Sequence, residues 1–192
     1  MFGLPGESFE SFSDSFDQLY ELKPHEIQVG ILKRLKGSPI IRHTDEHQLV
    51  FNPNPPFAIV SSSTADYKKI QEISRFARYW DLIGNSGRFK NSLALLMGGQ
   101  PFDRFFLLSQ ELFKRSQQTH KISLLRLYDF VFDIGQETME IDAQLLRESI
   151  AIDHQLSGLK SSPKCLRSID SDGKVSKLSS SKSSRALRQS RH

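Results

Sequence analysis

Apolar residues recur at three- and four-residue spacing through Phe9, Phe12, Phe16, Leu19 and Tyr20, which predicts an amphipathic helix from about Ser8 to Leu22. Ser8 stands where an N-cap hydroxyl accepts an orphan backbone N–H, and Pro24 stops the helix. The pattern then changes period: Ile27, Val29 and Ile31 alternate with Gln28 and Gly30, as a strand with one better-buried face does. Leu35-Lys36-Gly37-Ser38-Pro39 reads as a loop, and Pro39 to Gln48 as a second short helix. Three prolines within Asn52-Pro53-Asn54-Pro55-Pro56 exclude helix there, and Phe57 to Val60 reads as a short extended piece.

Downstream the character becomes helical. Ile70, Ile73, Phe76, Ala77, Trp80 and Ile83 form the strongest apolar stripe, with the hydroxyls of Ser61-Ser62-Ser63-Thr64 as expected caps and Gly84-Asn85 as its end. Further helices are predicted over Asn91 to Met97, around Phe102 to Phe113, around Leu124 to Phe132, and around Leu145 to Ile150. Each stripe needs a partner, so these helices are expected to pack as a small bundle. From Gln155 onward there are 12 serines in 38 positions and no aromatic residue, a composition expected to stay disordered. The expected fold is thus an α/β remnant, predominantly helical, with residues 1–60 as an α/β unit, 61–154 as a helical domain and 155–192 as a basic Ser/Lys-rich tail.

Composition sharpens this division. The formal charge of +4 conceals nine Lys or Arg against two Asp after Gln155, and 17 basic against 20 acidic residues before it. A basic tail on a mildly acidic body is not a nucleic-acid-binding domain, and the tail has no interleaved aromatic to stack a base. With no apolar run long enough to cross a bilayer and no signal peptide, the expectation is a cytoplasmic protein with neither membrane nor nucleic acid as partner. Cys165 is the single cysteine, so the chain can form neither an internal disulfide nor a cysteine-only metal site.

Candidate chemistry is sparse. In the turn Gly3-Leu4-Pro5-Gly6-Glu7 the glycines permit positive φ or close backbone approach, and the following helix offers free N–H groups. On these residues alone, a plain strand-to-helix connection and a ligand-contacting turn both stand. Glu7 can accept from a ligand amine or favour the helix N-terminus electrostatically. His43 and His47, four apart, have the spacing of a metal pair, but Thr44 follows His43 where a zincin has Glu. With no third ligand evident, solvated polar residues are expected there and no metal site; a hydrolase using the pair is the weakest functional reading. Arg88 after Ser86-Gly87 reads as a helix C-cap with a surface ion pair before it reads as an anion site. Asp14, Asp17, Glu21 and Glu26 offer no pairing for acid–base work.

Phe2-Gly3-Leu4-Pro5-Gly6-Glu7-Ser8 with its Phe-rich helix, then Gln28-Val29-Gly30-Ile31-Leu32, Leu35-Lys36-Gly37-Ser38-Pro39 and Asn85-Ser86-Gly87-Arg88-Phe89, occur in order and at plausible spacing. Together they resemble the late part of radical S-adenosylmethionine enzymes, and within them the proteins with an N-terminal cobalamin-binding domain and a C-terminal helical domain of unknown function. Ser38 stands where that family more usually has threonine. The resemblance implies the last strand-helix-strand of a partial (β/α) barrel, with Gly3, Leu4, Pro5, Gly6 and Glu7 on the wall of the S-adenosylmethionine pocket. It implies S-adenosylmethionine, an iron–sulfur cluster and cobalamin as cofactors of the full-length family, none of them held stably by this chain alone.

The family's C-x-x-x-C-x-x-C cluster loop has no counterpart here. The expectation is therefore a carboxy-terminal portion that is not catalytic alone, whose partner is a missing or separately encoded N-terminal half. The alternative is a stand-alone helical protein-interaction module.

Overall fold

The computed structural model describes residues 1–169 and 175–177. The described residues are predominantly helical. Six α-helices follow one another: α1 (Phe9–Glu21), α2 (Tyr67–Ile83), α3 (Lys90–Met97), α4 (Pro101–Ser116), α5 (Leu124–Glu137) and α6 (Ala143–Ser157). The strands are short: β1 (Val50–Phe51) pairs antiparallel with β2 (Ile59–Ser61), and β3 (Arg167–Ile169) antiparallel with β4 (Val175–Lys177).

Helix α1 begins as the sequence predicts. Ser8 accepts from the Ser11 N–H while the Ser11 hydroxyl accepts from the Ser8 N–H, a reciprocal capping box. Phe12 and Phe16, one turn apart, face the core. Lys23 takes positive φ just past the end, and Pro24 prevents continuation.

The expected strand after α1 is an extended segment held by isolated bridges. Ile31 bridges Phe2 in parallel and Lys33 bridges Ala58 antiparallel. The Phe2 N–H donates to Gly30 O at 2.7 Å, the Leu32 N–H to Phe2 O at 2.9 Å, and the Ile59 N–H to Leu32 O at 2.9 Å. The lateral order is therefore Phe2, residues 30–34, β2, β1. Of the predicted face Ile27 is buried, but Val29 and Ile31 are half-buried and Leu32 is buried in their place, because it lies between Phe2 and Ile59.

Residues 39–48 also depart from expectation. They form a 3₁₀ turn over Pro39–His43 and then further turns instead of an α-helix. The Leu49 N–H closes back on Thr44 O at 2.9 Å, and Gln48 takes positive φ, so the coil cannot propagate. The α2 cap is likewise not a serine or threonine: Asp66 accepts from the Lys69 N–H, while the Ser62 hydroxyl closes the preceding turn. The predicted stripe from Ile70 to Ile83 is buried throughout.

The units expected at 1–60 and 61–154 share one core. Phe2 meets Phe12 edge-on at 5.1 Å, Phe12 meets Phe102 at 5.8 Å, and Phe16, Phe76, Trp80 and Phe105 continue the cluster. Edge-to-face pairs add specificity to the apolar burial. Gln155 does not mark the end of order: α6 runs to Ser157, and Leu166 is buried against the core. Of the expected tail, residues 170–174 and 178–192 lie outside the described residues.

Candidate functional site

Phe2 and the 30–34 segment run parallel, so the turn after Phe2 and the Leu35–Pro39 loop emerge at the same, carboxyl end of the pair. That end of parallel strands is where α/β proteins place their ligands. The Gly3–Glu7 turn is closed from within. The Glu7 carboxylate accepts from the Gly3 N–H at 3.0 Å and the Leu4 N–H at 3.4 Å, and the Glu7 N–H donates to Leu4 O at 3.1 Å. Glu7 thus acts as a bracket for the turn's own donors, a third role beside the two weighed from sequence.

Both glycines take positive φ, for different surroundings. A Cβ on Gly3 would lie 2.9 Å from Ile59 Cγ2, so Gly3 is required by close packing against β2. Gly6 is exposed, with only His47 Cε1 within reach, at 3.9 Å from such a Cβ. Of the five predicted residues, Gly3 is buried, Leu4 and Gly6 are exposed, and Pro5 and Glu7 are intermediate. The edge open to a ligand is therefore Leu4-Pro5-Gly6.

Two further turns meet this one. The Thr64 hydroxyl donates to Glu7 O at 2.6 Å, and the Ser63 N–H donates to His47 O at 2.9 Å. The second contact brings up the segment His43-Thr44-Asp45-Glu46-His47. Here Glu46 Oε2 lies 3.9 Å from His43 Nδ1 and 3.8 Å from His47 Nε2. This is the third potential ligand not evident from the sequence: the carboxylate stands directly before the second histidine, at i+3 from the first.

Asn85-Ser86-Gly87-Arg88-Phe89 joins the α/β edge to the helices. Asn85 Oδ1 accepts from the Ile27 N–H and Asn85 Nδ2 donates to Ile27 O, both at 3.1 Å, in place of a neighbouring strand. Phe89 is fully buried against Tyr128, whose hydroxyl donates to Arg88 O at 3.0 Å. The Arg88 side chain is exposed and pairs with no carboxylate among the described residues, so the surface ion pair expected of it is not formed there.

The larger cleft, about 610 Å³ and open to solvent, lies beside Met1, Glu26, Gln28, Gly30, Asp81 and Asn85. A smaller one of about 270 Å³ sits between Tyr20, His25, Trp80 and Gly84. Neither is lined by the glycine turn. Because the larger cleft is a shallow surface and the glycine turn carries the motif residues, volume does not identify the site.

Cys165 is half-buried, its N–H donating to Asp129 Oδ1 at 2.9 Å. Burial first, then the neighbouring Asp129 charge, pushes its thiol well above the ordinary range. One protonated thiol does not fit a three-thiolate iron–sulfur cluster.

Fold and site together define a predominantly helical domain with an isolated parallel bridge, Phe2 to Ile31, across α1. The model of a family of proteins of unknown function, DUF4080, matches residues 45–191, and the chain belongs to that family. Comparison with curated proteins and with solved structures finds no match. Among the described residues no helix is long and apolar enough to cross a membrane.

Proposed function

We propose that the chain is the carboxy-terminal portion of a cobalamin-type radical S-adenosylmethionine enzyme of the cytoplasm, supplying part of a cofactor-pocket wall and a helical domain. The observation that carries this reading is the parallel bridge from Phe2 to Ile31 across α1, with the glycine turn and the Lys36-Gly37 loop at its carboxyl end. It is the arrangement expected of the last strand-helix-strand of a partial barrel. Leu4, Pro5 and Gly6 offer the open edge, and Gly3 and Glu7 hold it in shape.

In this reading the three cluster thiolates come from a preceding or separately encoded half, because Cys165 alone cannot supply them, and the cobalamin-binding domain belongs to the same half. The exposed apolar side chains Leu4, Leu35 and Ile41, in the loops at this end, fit coverage by such a half. The test is the coding sequence immediately upstream. An in-frame cobalamin domain and C-x-x-x-C-x-x-C loop is the expected result; a normal promoter with unrelated neighbours overturns it.

A second reading, a stand-alone helical interaction module, is favoured by the continuous core from Phe2 to Leu166. A single cooperative thermal transition and a monodisperse product for residues 1–192 favour it. A molten or aggregating product favours the portion of a larger enzyme.

A further inference from the structure

We propose that His43, Glu46 and His47 form a binding site for a divalent first-row transition ion, zinc foremost. The inference is independent of the cofactor chemistry proposed above. Each residue offers one ligand atom, and the three atoms lie within 4.8 Å of one another. At a tetrahedral zinc with bonds of about 2.0–2.1 Å, ligand atoms stand about 3.3 Å apart. The observed 3.8 and 3.9 Å from Glu46 to the two imidazoles therefore close by about half an ångström each, within reach of side-chain rotation. His43 and Glu46 are exposed enough to make that movement; their side chains are 50% and 72% accessible.

The backbone beneath the three side chains is fixed. The His47 N–H donates to His43 O at 3.1 Å, the Leu49 N–H to Thr44 O at 2.9 Å, and the Ser63 N–H to His47 O at 2.9 Å, while Leu49 is buried. The site thus rests on a closed turn pinned to the chain before α2, and little backbone order has to be gained on binding. Two imidazoles and a carboxylate suit zinc, cobalt, nickel or iron, whereas magnesium and calcium prefer all-oxygen sets. Three protein ligands leave at least one coordination position for water or a further ligand, unlike a closed structural site.

The alternative is Glu46 as a weak ion-pair partner of an exposed and a half-buried histidine, contributing little. Metal titration separates the two. Tag-free protein, residues 1–192, is stripped with a chelator and titrated with Co²⁺, followed by its visible ligand-field absorption. Zn²⁺ is then added in competition. The expected result is saturation at a single equivalent, with Zn²⁺ displacing Co²⁺.

His43→Ala and Glu46→Gln change exposed side chains, so both variants keep the fold, as circular dichroism can verify. Each should weaken binding by more than about tenfold, the lower bound for loss of even a supporting group. His120→Ala, remote in sequence and exposed, should leave it unchanged. Absence of saturable binding, or binding as tight as the parent's in either His43→Ala or Glu46→Gln, overturns the proposal.

Discussion

The Asp153 carboxylate, on α6, accepts a hydrogen bond from the Ser92 hydroxyl at 2.6 Å in the first turn of α3. It also accepts from the Ser92 N–H at 2.9 Å, and from the Asn91 N–H and Nδ2 at 3.0 and 2.8 Å. Helix α3 has no side-chain cap of its own; its N-cap residue is Phe89. A carboxylate from another helix satisfies the orphan donors and complements the positive end of the helix dipole.

Asp153→Asn should therefore be nearly as damaging as Asp153→Ala. The amide turns an NH₂ toward two donors, so one pair of hydrogen bonds becomes a repulsion. Loss of about 2–3 kcal/mol is expected for either, as for hydrogen bonds to a charged group with the donors left buried. Urea unfolding checks this as a fall in midpoint at unchanged slope. An asparagine variant within about half a kcal/mol of the parent would show that the charge is not needed.

Helix α4 is capped the same way, by Asp17 of α1, which accepts from the Phe102 N–H at 2.7 Å. Burial raises the Asp17 carboxyl above its ordinary range; the Phe102 hydrogen bond opposes this, and Asp103, Asp14 and Glu21 add to it. A raised carboxyl binds its proton more tightly folded than unfolded. Its contribution to stability is thus fully present below the unfolded carboxylate pKa and is lost as pH rises through the raised folded value. Asp17→Asn keeps an oxygen for Phe102 and removes the titration. Its stability should fall less than the parent's across that window, as unfolding free energies at successive pH values would reveal; parallel curves would refute the assignment.

The glycine turn makes its own prediction. Gly3→Ala must hold φ near +94° and push a methyl to 2.9 Å from Ile59, whereas Gly6→Ala meets only His47 at 3.9 Å. A cost of about 1–3 kcal/mol is expected at Gly3. At Gly6 the expected cost is nearer 1 kcal/mol, for the left-handed conformation alone. Equal thermal destabilisation by the two variants would contradict the packing role given to Gly3.

The helices were legible because each carries its own signal within a few residues: a stripe such as Ile70 to Ile83, a serine before α1, a proline after it. The caps of α3 and α4 were not, because Asp153 and Asp17 lie 62 and 85 residues from the amides they satisfy. No local pattern marks them. Alternation suggested a strand at Ile27, Val29 and Ile31; Ile27 is buried as that pattern expects, yet further along Leu32 rather than Val29 or Ile31 is buried, since two bridges rather than a full ladder decide which side chain turns inward. Glu46 was readable in principle. Glu46 stands directly before His47 rather than directly after His43, where a zincin has its glutamate, and the turn at 43–49 brings its carboxylate to both rings.

Cys165 tests the electrostatics beside Asp129 of α5. Its thiol is raised first by burial and then by Asp129, so little thiolate exists at neutral pH, and the thiolate is the reacting species. Folded protein should react with an aromatic disulfide reagent at least about tenfold more slowly than protein unfolded in urea at the same pH. Asp129→Asn preserves an acceptor for the Cys165 N–H but removes the charge, and should speed the folded reaction. If Asp129→Asn leaves the folded rate unchanged while the stability of the fold is intact, burial alone controls the thiol. If folded and unfolded rates agree, Cys165 is not held as the structure places it, and its exclusion from metal or cluster chemistry would have to rest on its being the sole cysteine.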